Sequence, residues 1–248
     1  MQPKFEYLLR LGDNALVLAL RLAEHERQRV HGAGVELDNA ARDLAGHARL
    51  WLTYAGAIEG KLRTADVLAR RREPGEFRNL TLLELPNVDT PATIVRCFLF
   101  DAWHCLLLDA LRNSTDTDIA AIAQKCGAEA RWHRFHSAGW LIRLGRGRGE
   151  SHARSQAALD ALWRHTPEFF SSDELDAAMA ASGTGVGAGS LRDLWMEEVG
   201  IVFGEVGLRP PVPEKTALCG KLGVHSEHLG HLLAETRTRA ALHPDAAW

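Results

Sequence analysis

Three stretches of this 248-residue sequence place an acid one helical turn from a histidine. Asp43 precedes His47 by four residues, Asp101 precedes His104 by three, and Glu129 precedes His133 by four, with His136 one turn further on. Separations of three or four bring both side chains to one face of a helix. Helices meeting with such faces inward can build a metal cage. The di-iron carboxylate version of that cage is strict. It needs four carboxylates, with Glu-x-x-His on two helices and a lone Glu on two others. Only Asp101-Ala-Trp-His104 keeps the three-residue spacing, and its acid is one methylene shorter than Glu. The residues three before His47 and His133 are Leu44 and Ala130, and neither can ligate. A four-residue spacing can still share a metal. The rival reading is structural: an inward carboxylate beside an inward imidazole forms a charge-assisted hydrogen bond and can set the register between helices. Spacing alone leaves both readings open.

A second group of polar residues stands near the C-terminus, in CGKLGVHSEHLGHLLAE at 219–235. His225, His228 and His231 recur every three residues, with Glu227 between them and Ser226 placed to cap a helix. One reading is a glycine-rich turn entering a terminal helix with solvated histidines. The other is a contact surface on which Lys221, His225, Glu227 and His228 meet a partner or a ligand phosphate. The basic clusters at Lys61, Arg63 and Arg70–Arg72, and at Arg143, Arg146 and Arg148, read as solvated faces. SGTGVGAGS at 182–190 loosely echoes a phosphate loop, but a helical pattern precedes it where a strand is required, so it reads as a plain loop. There is no G-x-S-x-G elbow, no H-E-x-x-H and no Walker loop.

The elements that must position these residues are helical nearly throughout. FEYLLRLGDNALVLALRLAEH spaces its apolar residues by three and four. HGAG at 31–34 breaks that pattern, and VELDNAARDLAGHARLWLTYAGAIEG follows as a second long helix. Turns are expected at REPGE, 72–76, and at LLELPN, 82–87. Asp89-Thr90-Pro91 opens a helix that runs to about Asn113. A fourth spans about 118–144, a fifth about 151–171, and shorter ones 173–181, 190–207 and 225–242. No stretch alternates for long like a half-buried strand. The expected class is all-α, a single domain over 1–248: an N-terminal helix to about residue 30, a core bundle over about 35–171 and C-terminal helices over about 173–242.

Composition sets the outer limits. The chain is 46 % hydrophobic and 25 % charged, with a formal net charge of −3, which gives no global attraction to nucleic acid or an anionic membrane. The most apolar stretch, ATIVRCFLFDAWHCLLLDAL, carries Arg96, Asp101, His104 and Asp109, which a bilayer would not hold cheaply. The N-terminus mixes charges into its apolar residues and does not suit a signal peptide. The four cysteines form no C-x-x-C pair and read as reduced and mostly buried, in a cytoplasmic protein.

LRLGDNALVLALRLAE at 9–24, DLAGHAR at 43–49, FDAWH at 100–104, EARWH at 129–133 and GKLGVHSEHLG at 220–230 together resemble the C-subunit family of bacterial phenylacetyl-CoA epoxidases, the multicomponent ring-1,2-oxygenases of phenylacetate catabolism. The stop at LPNV, 85–88, and a short tail ending in Trp248 fit the same likeness, which covers essentially the whole chain. The resemblance implies a ferritin-like helical fold with additional short helices. It implies that a paralogous A subunit holds the di-iron centre and the phenylacetyl-CoA pocket, and that electrons come from a reductase among the other subunits. In the C-type paralogue the metal site is degraded. Leu44 and Ala130 stand where the catalytic paralogue has the Glu of each Glu-x-x-His. Asp43, His47, Asp101, His104, Glu129 and His133 then serve as polar contacts inside the bundle. This chain would hold no cofactor and no catalytic residue of its own. A further expectation, added to what the resemblance implies, is that Lys221 or nearby arginines join the surface that meets the CoA phosphates. The competing expectation is an active metalloenzyme that uses those same six acids and histidines as ligands.

Overall fold

The computed structural model describes residues 2–27, 34–147, 149–212 and 218–242. In chain order its helices are α1 (Pro3–Arg27), α2 (Gly34–Glu59), α3 (Ala65–Arg70), α4 (Thr81–Glu84), α5 (Thr90–Leu111), α6 (Thr117–Arg146), α7 (Glu150–Trp163), α8 (Pro167–Phe170), α9 (Glu174–Ala181), α10 (Arg192–Val206) and α11 (Glu227–Leu242). Among the described residues there is no strand, only one isolated bridge between Cys219 and Val224. The class is all-α, a helical bundle with short helices added. The break expected at HGAG lies outside the described residues except for Gly34, where α2 begins, and Arg148 and Trp248 lie outside them too.

Local chemistry explains the boundaries. Asp89 accepts a hydrogen bond from the Ala92 amide and starts α5, with Pro91 in its first turn. Asp116 accepts from the amides of Asp118 and Ile119 and starts α6. Asp173 caps α9 and forms a reciprocal box with Asp176. The single helix expected over about 151–171 is in fact two. Pro167 has no amide proton, and within a helix its ring would strike the carbonyl of Trp163, so α7 stops there and α8 restarts at Pro167.

The chain divides into two compact units. The first comprises residues 1–86 and 217–248, and the second residues 87–216. In the first unit α1 lies along α2, and the core gathers Leu8, Leu16, Leu18, Leu22, Trp51 and Leu52. Close approach needs Gly12: a Cβ there would come within 2.7 Å of the Leu52 side chain. In the second unit α5 packs on α6 and α7, and α10 reaches both α5 and α6. α5 is buried on nearly every side, as a helix apolar all round must be. Trp195 of α10 is its aromatic hub, stacked on Trp163 and edge-on to Phe169, with its indole N–H donated to the Leu99 carbonyl at 3.0 Å.

Candidate functional site

The acid–histidine stretches fall in both units: Asp43 and His47 in the first, the other two in the second. In the first unit α2 buries Leu44 and His47, while Asp43 is half-exposed at the edge of the same face. In the second unit α5 buries Asp101 and His104, and α6 buries Ala130, His133 and Ser137. Glu129 is exposed. A four-residue step turns about 40° round a helix, enough to carry Glu129 off the edge of the face that His133 occupies. The His104 ring stacks on Phe100, with centroids 4.9 Å apart. His136 stacks on Trp132 at 3.7 Å and bonds through Nδ1 to the Trp132 carbonyl. It belongs to the outer surface of α6.

Burial drives Asp101 up to about 7, against a hydrogen bond from Ser137 that favours the carboxylate. Burial, then the nearby Asp101 charge, pushes the thiols of Cys97 and Cys105 up to about 12. Those cysteines are inert apolar filling rather than nucleophiles. All four cysteines are free, and Cys97, Cys105 and Cys126 are buried. Within neither unit, among the described residues, do three or more His, Cys, Asp or Glu side chains gather closely enough to hold a metal ion. Leu44 and Ala130, each only 1 % exposed, are aliphatic where a di-iron pattern needs Glu.

The densest polar cluster lies in the first unit, around Glu84. This side chain is fully buried at the end of α4. Its Oε2 accepts from Asn79 Nδ2 at 2.9 Å and from His225 Nδ1 at 2.7 Å, and its Oε1 accepts from the Ser226 amide at 2.5 Å. His225 Nε2 donates to the Phe77 carbonyl at 3.0 Å. Both neighbours of the ring are acceptors, an arrangement that favours a proton on each ring nitrogen and so the imidazolium form. Arg21 donates to the Glu84 carbonyl through Nε and Nη2, at 2.9 and 2.6 Å, and to the His228 carbonyl at 2.9 Å. Gly220 fits because it has no side chain: a Cβ there would lie 2.0 Å from the Asn79 carbonyl oxygen. Both ring nitrogens of His225 are thus spent on the protein's own groups. Lys221 is buried, Glu227 is exposed and His228 is half-exposed. Ser226 contributes its amide rather than a cap, since its hydroxyl has no hydrogen-bond partner among the described residues.

A second buried pair stands beside this cluster. Asp13 of α1 takes both Nη atoms of Arg72, whose side chains are 0 % and 2 % exposed. Asp13 also accepts from the Arg78 amide at 2.8 Å. Asn14 accepts from the Leu80 amide at 2.7 Å, so the GDN motif is spent on tying α1 to the 72–80 segment. Residue spacing does not point to Glu84, Asn79 or the Asp13–Arg72 pair. The available signal is an acid inside an apolar run, as in LRLGDNALVL and LLELPN.

The charge on His225 makes stability depend on pH. Burial alone would weaken its hold on the second proton, but the bonds to Glu84 and Phe77 and the charges of Glu84 and Asp13 outweigh it, so the pKa is raised. A raised histidine stabilises fully below its unfolded value of about 6.5, and the stabilisation is lost as pH climbs through the folded value. Between about pH 6 and pH 9 the wild-type Tm should therefore fall further than that of His225→Gln. Equal slopes in the two thermal-melt series would contradict the charged pair.

The whole chain, residues 1–248, matches the family model described as phenylacetic acid catabolic protein. A relative from Escherichia coli (strain K12), the C subunit of 1,2-phenylacetyl-CoA epoxidase, is 41 % identical over 246 residues, covering 98 % of this chain and 98 % of the relative.

Proposed function

This chain belongs to the phenylacetic acid catabolic protein family, and from that premise we propose that it is the supporting C-type subunit of a phenylacetyl-CoA epoxidase. Its partners are the other epoxidase subunits: a catalytic A subunit that holds two irons, and a reductase that delivers electrons. The complex epoxidises the aromatic ring of phenylacetyl-CoA with O₂. The proposal places this chain in the cytoplasm, without a cofactor; no helix among the described residues is long and apolar enough to cross a membrane.

One observation supports the division of labour. Two of the three buried histidines of the pattern, His47 and His133, follow an aliphatic residue where the Glu of Glu-x-x-His belongs; only His104 keeps a carboxylate there, Asp101. Leu44 and Ala130 have no lone pair to give iron, so the donor set does not fit a di-iron carboxylate centre. The chain's work is then to cover and brace its partner. It offers rigid helix faces and removes partner apolar surface from water.

The test is co-expression and metal analysis. The A subunit should be soluble and active with this chain and lose both without it. Purified with ferrous salt, the chain alone should keep well under one iron. Two tightly held irons, lost on Asp101→Ala and His133→Ala, would instead support a metalloenzyme in its own right.

A further inference from the structure

In the second unit, the seam between α6 and α10 carries apolar side chains that the unit leaves bare. Phe135 of α6 is 74 % exposed, and Leu194 and Ile201 of α10 are 53 % and 66 % exposed. The inward face of α10 is a different set, Trp195, Val199, Phe203 and Val206. At about 100° per residue, Leu194 and Ile201 point within about 20° of each other. They share the flank of α10 that carries Glu198 and Glu205, which pair with Arg134 and Arg146 of α6. Phe135 lies about 20° from Arg146 around α6. The three apolar side chains therefore line the outer edge of one two-helix seam. An isolated exposed leucine needs no explanation, but an apolar row along a seam marks an interaction surface.

Charge narrows what covers it. The arginines of the seam are committed to Glu198 and Glu205. Among the described residues Asp193 and Glu197 of α10 form no ion pair; of the exposed cations near the row without one, Arg143 lies over the Trp140 ring and Arg192 turns about 160° away from Leu194, so the charge nearest the row is the negative Glu197. Glu197 falls three residues after Leu194 and four before Ile201, between the two on the exposed side. A second copy seated on this row by a two-fold axis would bring the same acids face to face. A helix of opposite character would not.

Resting on the reading as an epoxidase subunit, we propose that the α6–α10 seam seats an amphipathic helix of the catalytic A subunit, with an apolar stripe flanked by Lys or Arg. Phe135, Leu194 and Ile201 are its anchors, and Glu197 selects the basic flank. A stable interface needs about 800 Å² from each partner, so these residues are the centre of a larger contact.

The test uses the full chain co-expressed with an affinity-tagged A subunit, with the dissociation constant read from dilution of the purified complex. Ile201→Asp and Glu197→Lys should each weaken assembly about 10-fold or more, with unchanged circular dichroism and Tm, because both positions are exposed. Lys61→Glu, an exposed position of the other unit read as a solvated face, should leave it unchanged. Constants within about 2-fold of wild type for both seam variants overturn the proposal. So does a wild-type homodimer that Ile201→Asp dissolves while A-subunit binding persists, which would make the occupant a second copy. If the wild-type chain binds no epoxidase subunit, the functional reading itself falls and this surface with it. That result is distinct, because wild type and variants then read alike.

Discussion

Arg72→Ala should lower the free energy of unfolding by about 3–5 kcal/mol, read from denaturant titration. The guanidinium is fully committed: both Nη atoms to Asp13, Nε to the Leu68 carbonyl at 2.5 Å, and Nη1 also to the Glu76 carbonyl at 3.1 Å. It lies over the Phe77 ring, 4.2 Å from the centroid. Truncation leaves the Asp13 carboxylate buried without its cation, and that uncompensated charge carries most of the expected loss. Removing both charges is therefore milder than removing one. Asp13→Asn with Arg72→Met should recover a sizeable part of the stability, because asparagine can still accept from the Arg78 amide. A loss under about 1 kcal/mol for Arg72→Ala would mean that water reaches Asp13 in solution.

Glu84→Ala should cost a similar amount, about 3–5 kcal/mol, with a different signature. It strips the acceptor from His225, from Asn79 and from the Ser226 amide at once. The approach to α11 is held by these bonds, so amide exchange along α11 should accelerate more than exchange along α2. Arg21 still holds the backbone carbonyl at position 84, and Arg237 still ties α11 to the carbonyls of Arg70 and Arg72. The segment should therefore loosen rather than detach. Glu84→Gln, which keeps the acceptor oxygen but not the charge, should fall between. Unchanged α11 protection in Glu84→Ala would refute the role given to this carboxylate. The Asp13 charge also acts on His225, so the two losses should not add.

The helices were legible because their apolar spacing and their caps are local. Asp89-Thr90-Pro91 opens α5 within one turn of chain, and no distant residue is needed to see it. The stop between α7 and α8 is local too: Pro167 marks it, inside an apolar period that runs through 151–171 and on its own reads as one helix. The polar cluster of the first unit was not legible. Asp13 meets Arg72 across 59 residues and Glu84 meets His225 across 141, and no period in a sequence encodes such pairings. Spacing also put Glu129 and His133 on one helical face without saying where that face ends, and Glu129 lies beyond the edge. The aliphatic character of Leu44 and Ala130 needed no structure at all, since the chemistry of iron ligation is decided by residue type.

Residues 1–86 and 217–248 form one unit, with residues 87–216 spliced into its chain. On the ribosome the pieces emerge in that order. The pocket that receives His225 is synthesised early, yet its occupant arrives only after the whole insert has been translated, roughly ten seconds later at ordinary elongation rates. During that interval Glu84 and Asn79 face water or a chaperone, while every residue of the inserted unit has already been joined. Nascent chains ending at residue 216 and held clear of the ribosome by a flexible linker should accordingly protect α5 and α6 from protease while leaving the 72–84 region open to cleavage.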